Sequence, residues 1–225
     1  MKVSDKGLAE IAGHEGIVPK RYLDSVGVWT IGIGHTVNAG DPNPSKVTRE
    51  LSIAEVMEIF RRDIAKFETR VNKAVKVPLK QHEFDALVSF DFNTGGIYRA
   101  NLTKSLNAGN KSAAANGFMG WLKPPEIKKR RTDEMNLFKS GRYGNGHASI
   151  FDTDSDGNID WGSGKLVNVL AQMGVVPVVI LTTHPPKIRV GGEVHPVPSA
   201  PPPKQQSIWN TLAALIGRLF IRKNT

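Results

Sequence analysis

The chain has 225 residues, 40% of them apolar, which allows one large domain or one domain with appendages and a substantial buried core either way. It has no cysteine, which excludes a disulfide framework, a thiolate metal site and a cysteine nucleophile. Lysine and arginine total 30 against 21 acidic residues, a formal charge of +9 that favours anionic polymers such as bacterial walls, membrane surfaces or nucleic acid. No zinc-finger spacing, RNP motif or basic heptad array accompanies the charge, so nucleic acid is not an expected partner.

Met1 to Glu10 carry charge but no apolar run, so no secretory signal peptide is read there. The expectation is synthesis in the cytoplasm, with another route to any site of action outside it. Ser4 with Asp5 predicts a capped first helix running to about Ala12, and Glu15 follows its apolar turn of Leu8, Ile11 and Ala12. From Arg21 to Val37, aromatic and β-branched residues punctuated by Gly27, Gly32 and Gly34 predict a glycine-kinked hairpin or small sheet. Asp24 sits in its turn with Ser25 and Gly27, and Thr30 lies on the strand that follows. Gly40 to Pro44 reads as a loop.

At Ser52 the pattern changes. Ser52 and Glu55 form a capping box ahead of Ile53, Val56, Met57, Phe60, Ile64, Phe67, Val71 and Val75, whose steps of three and four predict one long amphipathic helix that ends before Pro78. Gln81 to about Asn93 holds Phe84, Leu87, Val88, Phe90 and Phe92, too many apolar faces for a surface helix, so it is expected at the centre of a helical lobe. Asp91 within it calls for a basic partner or an exposed edge. A short helix with a glycine stop at Gly109, then Trp121, and a last helix through Arg130, Arg131, Glu134 and Phe138 to Gly141 complete this part.

Glu15, Asp24 and Thr30 suit one chemistry. Glycoside hydrolysis uses one protonated carboxyl to assist the leaving oxygen and one ionised carboxyl on the opposite side of the ring. An apolar turn beside Glu15 favours a retained proton, and the polar turn around Asp24 favours its charge. The Thr30 hydroxyl both donates and accepts, which suits holding a water. Singly, each residue is also ordinary: a helix-end glutamate, a turn aspartate, a strand threonine. Jointly, the spacing and the run Trp29-Thr30-Ile31-Gly32-Ile33-Gly34-His35-Thr36 resemble the phage-type lysozymes, glycoside hydrolase family 24. Within that run, His35 reads as a hydrogen-bonding brace of the hairpin rather than an acid or base. The text around Phe84 to Gly96 and the last helix also resemble the family, so the resemblance covers about residues 5–143.

The resemblance implies an α+β, two-lobed fold: a small β-hairpin lobe and a mostly helical lobe joined by the long helix, with the sugar chain between them. It implies a muramidase that cleaves the β-1,4 bond between N-acetylmuramic acid and N-acetylglucosamine in peptidoglycan at the cell wall, with inversion and without a required cofactor. It assigns the catalytic roles to Glu15, Asp24 and Thr30. Arg130 and Arg131 would face the anionic wall or serve helix packing. The alternative function is a non-catalytic wall-binding or particle-structural protein that keeps the fold.

Beyond Tyr143 the resemblance fades. Asp152, Asp154, Asp156, Asn158 and Asp160, with Gly157 among them, place oxygen ligands at calcium-loop spacing, but the closing glutamate is missing and Ser163 stands in its place. The alternative is a hairpin of Ala148–Phe151 and Ile159–Trp161 turning through Asp156 and Gly157. Residues 166–182 are the most apolar stretch, interrupted by Asn168, Gln172, Gly174 and Pro177, which favours packing on the protein over spanning a membrane. Proline then recurs in 185–206, as in an extended linker. In 207–225, Ile208, Leu212, Leu215, Ile216 and Leu219 share one helical face opposite Asn210, Thr211, Arg218 and Arg222, the pattern of a helix that lies on an anionic membrane surface or docks on protein. The expected organisation is a lysozyme-like catalytic domain at 1–145, an extension at 146–184, the linker at 185–206 and the amphipathic helix at 207–225.

Overall fold

A computed structural model describes residues 1–173. The linker, the amphipathic segment 207–225 and the apolar residues past Met173 lie outside the described residues.

Helix α1 (Asp5–Glu15) opens as expected, with the Ser4 side chain accepting from the Gly7 N–H, but it runs a turn beyond Ala12. Glu15 is therefore its last residue, and Gly16, at φ +74°, turns the chain out. The extra turn carries no apolar pattern of its own because Gly13 lies tight against a backbone carbonyl, where a Cβ would come within 2.8 Å of the His147 oxygen. Three antiparallel strands follow in sequence order, β1 (Val18–Leu23), β2 (Trp29–Gly32) and β3 (His35–Thr36). Tyr22 pairs with Thr30 and Leu23 with Trp29, so the turn between them is Asp24 to Val28.

The long helix α2 (Ile53–Ala74) has the expected capping box: the Ser52 hydroxyl accepts from Glu55 N and the Glu55 carboxylate takes Ser52 N at 2.8 Å. Its buried stripe of Val56, Met57, Phe60, Ile64, Phe67 and Val71 faces both lobes. Helix α3 (Gln81–Thr94) is central, as its all-round apolar character requires, and its buried Phe90 meets Phe118 and Trp121 edge-on. Asp91 takes the first of its two expected solutions: it is fully buried and the Arg70 Nε donates to it at 2.6 Å. Helices α4 (Asn101–Asn107), α5 (Lys111–Gly117) and α6 (Lys128–Ser140) close the helical lobe around α3. The fold is α+β, with the small sheet and the helical lobe linked through α2.

Two further strands, β4 (His147–Thr153) and β5 (Ile159–Asn168), form a separate antiparallel hairpin, and a short α7 (Val169–Gln172) follows. The strands are longer than the sequence suggests because pairing extends to His147 and Asn168. The hairpin joins the body through Ala148 and Val169 in the main core and through Phe151, which packs with Val18 and Tyr22. No described helix is long and apolar enough to cross a membrane.

Candidate active site

Glu15 owes its place to the end of α1. It is only 4% exposed, and a buried carboxylate needs a partner. Arg130 of α6 supplies one, its Nη1 donating to Glu15 Oε1. The apolar turn expected beside Glu15 is thus only part of its surroundings. Arg130 Nε also donates to Glu134 at 3.0 Å, the Ser89 hydroxyl donates to the same Glu134 oxygen at 2.7 Å, and Arg131 lies 2.6 Å from the other Glu134 oxygen. Two glutamates and two arginines thus form one buried cluster. Burial opposes the charge on Arg130, but Glu15 and Glu134 outweigh it and hold the guanidinium above its ordinary range. Burial pulls Arg131 down to about 10. The arginine pair therefore faces the interior, and the reading that it meets an anionic wall is set aside: Arg130 is 4% exposed and Arg131 not at all.

Asp24 is placed by its turn. Its N–H donates to the Val28 carbonyl and its carbonyl accepts from Gly27, while Oδ1 accepts from the N–H groups of Val26 at 3.0 Å and Val28 at 2.8 Å. Both side-chain bonds fall on Oδ1, which leaves Oδ2 for other chemistry. Gly27 has φ +77°, a conformation that costs other L-residues about 1–2 kcal/mol. Thr30 is buried on β2 and its hydroxyl donates to the Val28 carbonyl at 3.0 Å. The same Val28 unit so orders both Asp24 and Thr30.

Tyr22 is a residue that no sequence pattern singles out. It is directly opposite Thr30 in the β1–β2 register, so the two side chains share a face of the sheet. Its phenol pKa is pushed up first by burial, then by the charges of Asp24 and Glu15. Arg130 takes the packing and pairing role that the sequence offers as the alternative to the wall, but its pairing with Glu15 has no sequence signal. Its only local signal is the i,i+4 spacing to Glu134, which an exposed helix shows as readily.

His35 is buried, with Nδ1 2.9 Å from Asp63 of α2 and Nε2 2.9 Å from the Pro42 carbonyl. Both ring nitrogens are occupied, one fastening the sheet to the long helix and the other to the loop at Pro42, the bracing expected of it. A cavity of about 230 Å³ lies elsewhere, between α1, α6 and residues 142–147. Glu10, His14, Asp133 and His147 line it, but Glu15, Asp24 and Thr30 do not. Burial, then Arg130 and Lys129, hold His14 well below its usual range.

The acidic residues of the hairpin do not converge. Asp152 is 3.4 Å from Lys20, Asp154 accepts from the N–H groups of Asp156 and Asn158 and from Asn158 Nδ2, and Asp160 accepts from Gly162 N. Among the described residues, no group of three or more histidine, cysteine or acidic side chains is arranged to hold a metal ion. The Asp154 and Asp160 oxygens accept hydrogen bonds within the β4–β5 hairpin.

Residues 12–134 match the phage lysozyme family model. The chain is 38% identical over 153 residues to an endolysin of Acyrthosiphon pisum secondary endosymbiont phage 1, covering 62% of this chain and 99% of that protein. A crystal structure of a P22 lysozyme mutant superposes with a TM-score of 0.58 at 32% identity, over 62% of this chain and 99% of that one. The muramidase domain of SpmX from Asticaccaulis excentricus does so with a TM-score of 0.54 at 28% identity, over 62% and 98%. With Glu15, Asp24 and Thr30 inside the matched span, the chain belongs to the phage lysozyme family.

Proposed function

We propose that this chain, a peptidoglycan-lysing muramidase by its family, hydrolyses the β-1,4 bond between N-acetylmuramic acid and N-acetylglucosamine with Glu15 as general acid, Asp24 as general base and Thr30 as the residue that holds the water. The observation that carries the reading is Tyr22, which lies opposite Thr30 and feels the charges of both Asp24 and Glu15. Glu15 donates its proton to the glycosidic oxygen as the bond to the anomeric carbon breaks. On the other side of the ring a water adds to that carbon, and Asp24 Oδ2 takes its proton. The product is inverted because the water arrives opposite the leaving group. Arg130 binds Glu15 at Oε1 and leaves Oε2 for the proton.

The test is clearing of purified peptidoglycan by wild type and by Glu15→Gln, which keeps the shape and loses the transferable proton. General acid catalysis contributes about 10²–10⁴-fold, so clearing per folded molecule should nearly stop, beyond any fall in stability from removing one charge of the buried Glu15–Arg130 pair. Activity retained within about threefold rejects the assignment. We further propose, from the sequence pattern of 207–225, that this segment brings the enzyme to an anionic membrane surface. Deleting it should abolish salt-sensitive binding to anionic liposomes and spare hydrolysis of soluble fragments; lost stability or a broken oligomer would make it a docking helix instead.

A further inference from the structure

Glu15 and Asp24 are joined by residues 16–23 alone, and this connector is bonded near both ends to the β4–β5 hairpin, which lies beyond the 12–134 span of the family match. Near the Glu15 end, the Ile17 N–H donates to the Ser149 carbonyl and the Phe151 N–H donates to the Ile17 carbonyl, each at 2.9 Å, with Ile17 and Ile150 in a parallel bridge. At the Asp24 end, the Leu23 N–H donates to the Gly157 carbonyl at 2.9 Å. Between these points the connector's buried Val18 and Tyr22 pack on Phe151, which is backed by Trp161 at 5.2 Å between ring centres. Gly157 presses against Trp29, where a Cβ would come within 2.9 Å of the indole.

We propose that the β4–β5 hairpin is a clamp that positions the two carboxylates, with the Gly157 carbonyl fixing the step from Leu23 into Asp24 and Asp154 shaping the turn that presents it. The inference rests on the catalytic reading of Glu15 and Asp24 given above. Asp154 touches none of the reacting groups. Its carboxylate takes the N–H groups of Asp156 and Asn158, its carbonyl takes the Gly157 N–H, and its own N–H goes to the Asn158 carbonyl. The peptide that offers its oxygen to Leu23 is therefore held from both sides by Asp154. Asp154 acts in this way through the backbone geometry of the turn.

The experiment compares wild type, Asp154→Ala and Asp154→Asn in the full chain. It reads kcat and KM on soluble peptidoglycan fragments, the melting temperature and the exchange rate of the Leu23 amide. Alanine removes the turn's acceptor, and asparagine keeps it without the charge. Asp154→Ala should lower kcat about tenfold with KM within about twofold, since small displacements of reacting groups cost rate far from the mutation. Leu23 exchange should rise about tenfold as the clamp opens locally, with little change in melting temperature. Asp154→Asn should restore all of these values. Unchanged kcat and exchange in Asp154→Ala overturn the proposal, as does faster exchange with unchanged kcat. An equal loss in Asp154→Asn assigns the effect to charge, and a loss of kcat that tracks loss of folded protein makes the hairpin merely structural; either outcome overturns it. Glu15→Gln separates the two readings: if that variant stays active the catalytic assignment fails, while Leu23 exchange still reports the clamp itself.

Discussion

The turns at residues 24–28 and 154–158 are built alike and used differently. Both read Asp-Ser-X-Gly, as Asp24-Ser25-Val26-Gly27 and Asp154-Ser155-Asp156-Gly157, and both share one hydrogen-bond scheme. In each, the aspartate N–H goes to the carbonyl four residues on, its carbonyl takes the glycine N–H, and Oδ1 takes two backbone N–H groups. The glycines have φ +77° and +85°. What differs is the setting. Nothing lies within 4 Å of a Cβ at Gly27, whereas Gly157 is buried on Trp29 and gives its carbonyl to Leu23. The fifth residue differs too: the Asn158 side chain donates to Asp154 Oδ2 at 3.0 Å, and the Val28 side chain has no donor to offer Asp24. One turn keeps its carboxylate open, and the other closes its carboxylate and docks its backbone.

The comparison is broken most easily at the aspartates. Asp24→Asn keeps the acceptor for both N–H groups but not the base, so hydrolysis should fall by about 10²–10⁴-fold with the fold intact. Asp154→Asn, the same change in the same turn, should leave hydrolysis within about twofold by the clamp argument, because only the acceptor matters there. Equal losses in the two variants, measured as initial rates of peptidoglycan clearing, would erase the distinction.

The other candidate carboxyl, Glu15, depends on its buried cluster. Arg130→Met strands Glu15 and Glu134 without their guanidinium and should cost about 3–5 kcal/mol, read by chemical denaturation. No single change at the exposed Asp154 should approach that figure. Val28→Asn sharpens the contrast differently, by giving Asp24 the donor that Asp154 already has. A hydrogen bond to a charged oxygen is worth about 1.5–3 kcal/mol, so capture of Oδ2 should slow hydrolysis by about tenfold or more while stability is kept. An unchanged rate would mean that Oδ2 is not the working oxygen.

The smallest effect belongs to the reciprocal change, Asn158→Val. The side chain of Asn158 and then its N–H hold the Asp154 carboxyl below its usual 3.8. A carboxyl lowered on folding contributes stability that is present above the unfolded value and lost as the pH falls through the folded one. Wild type should therefore exceed Asn158→Val slightly in melting temperature above about pH 4, and the two should converge in stronger acid. A gap that widens in acid would reverse the sign and refute the role of Asn158.

Much of the molecule is legible in the chain. The Ser52–Glu55 box and the apolar steps after it determine α2, because a capped amphipathic helix is a local object. The turn around Asp24 is equally local: an aspartate that can accept its neighbours' N–H groups and a glycine free to take positive φ suffice to build it. The same rules produce the turn at Asp154, where the sequence spacing admits both a calcium loop and a hairpin. Tertiary structure decided which of the twins stays open. Arg130 reaches Glu15 across 115 positions of the chain, and Gly157 reaches Leu23 from a hairpin outside the family match. Such contacts leave no periodicity in the sequence, since a buried ion pair and a docked carbonyl depend on how helices and strands pack rather than on what any one of them prefers.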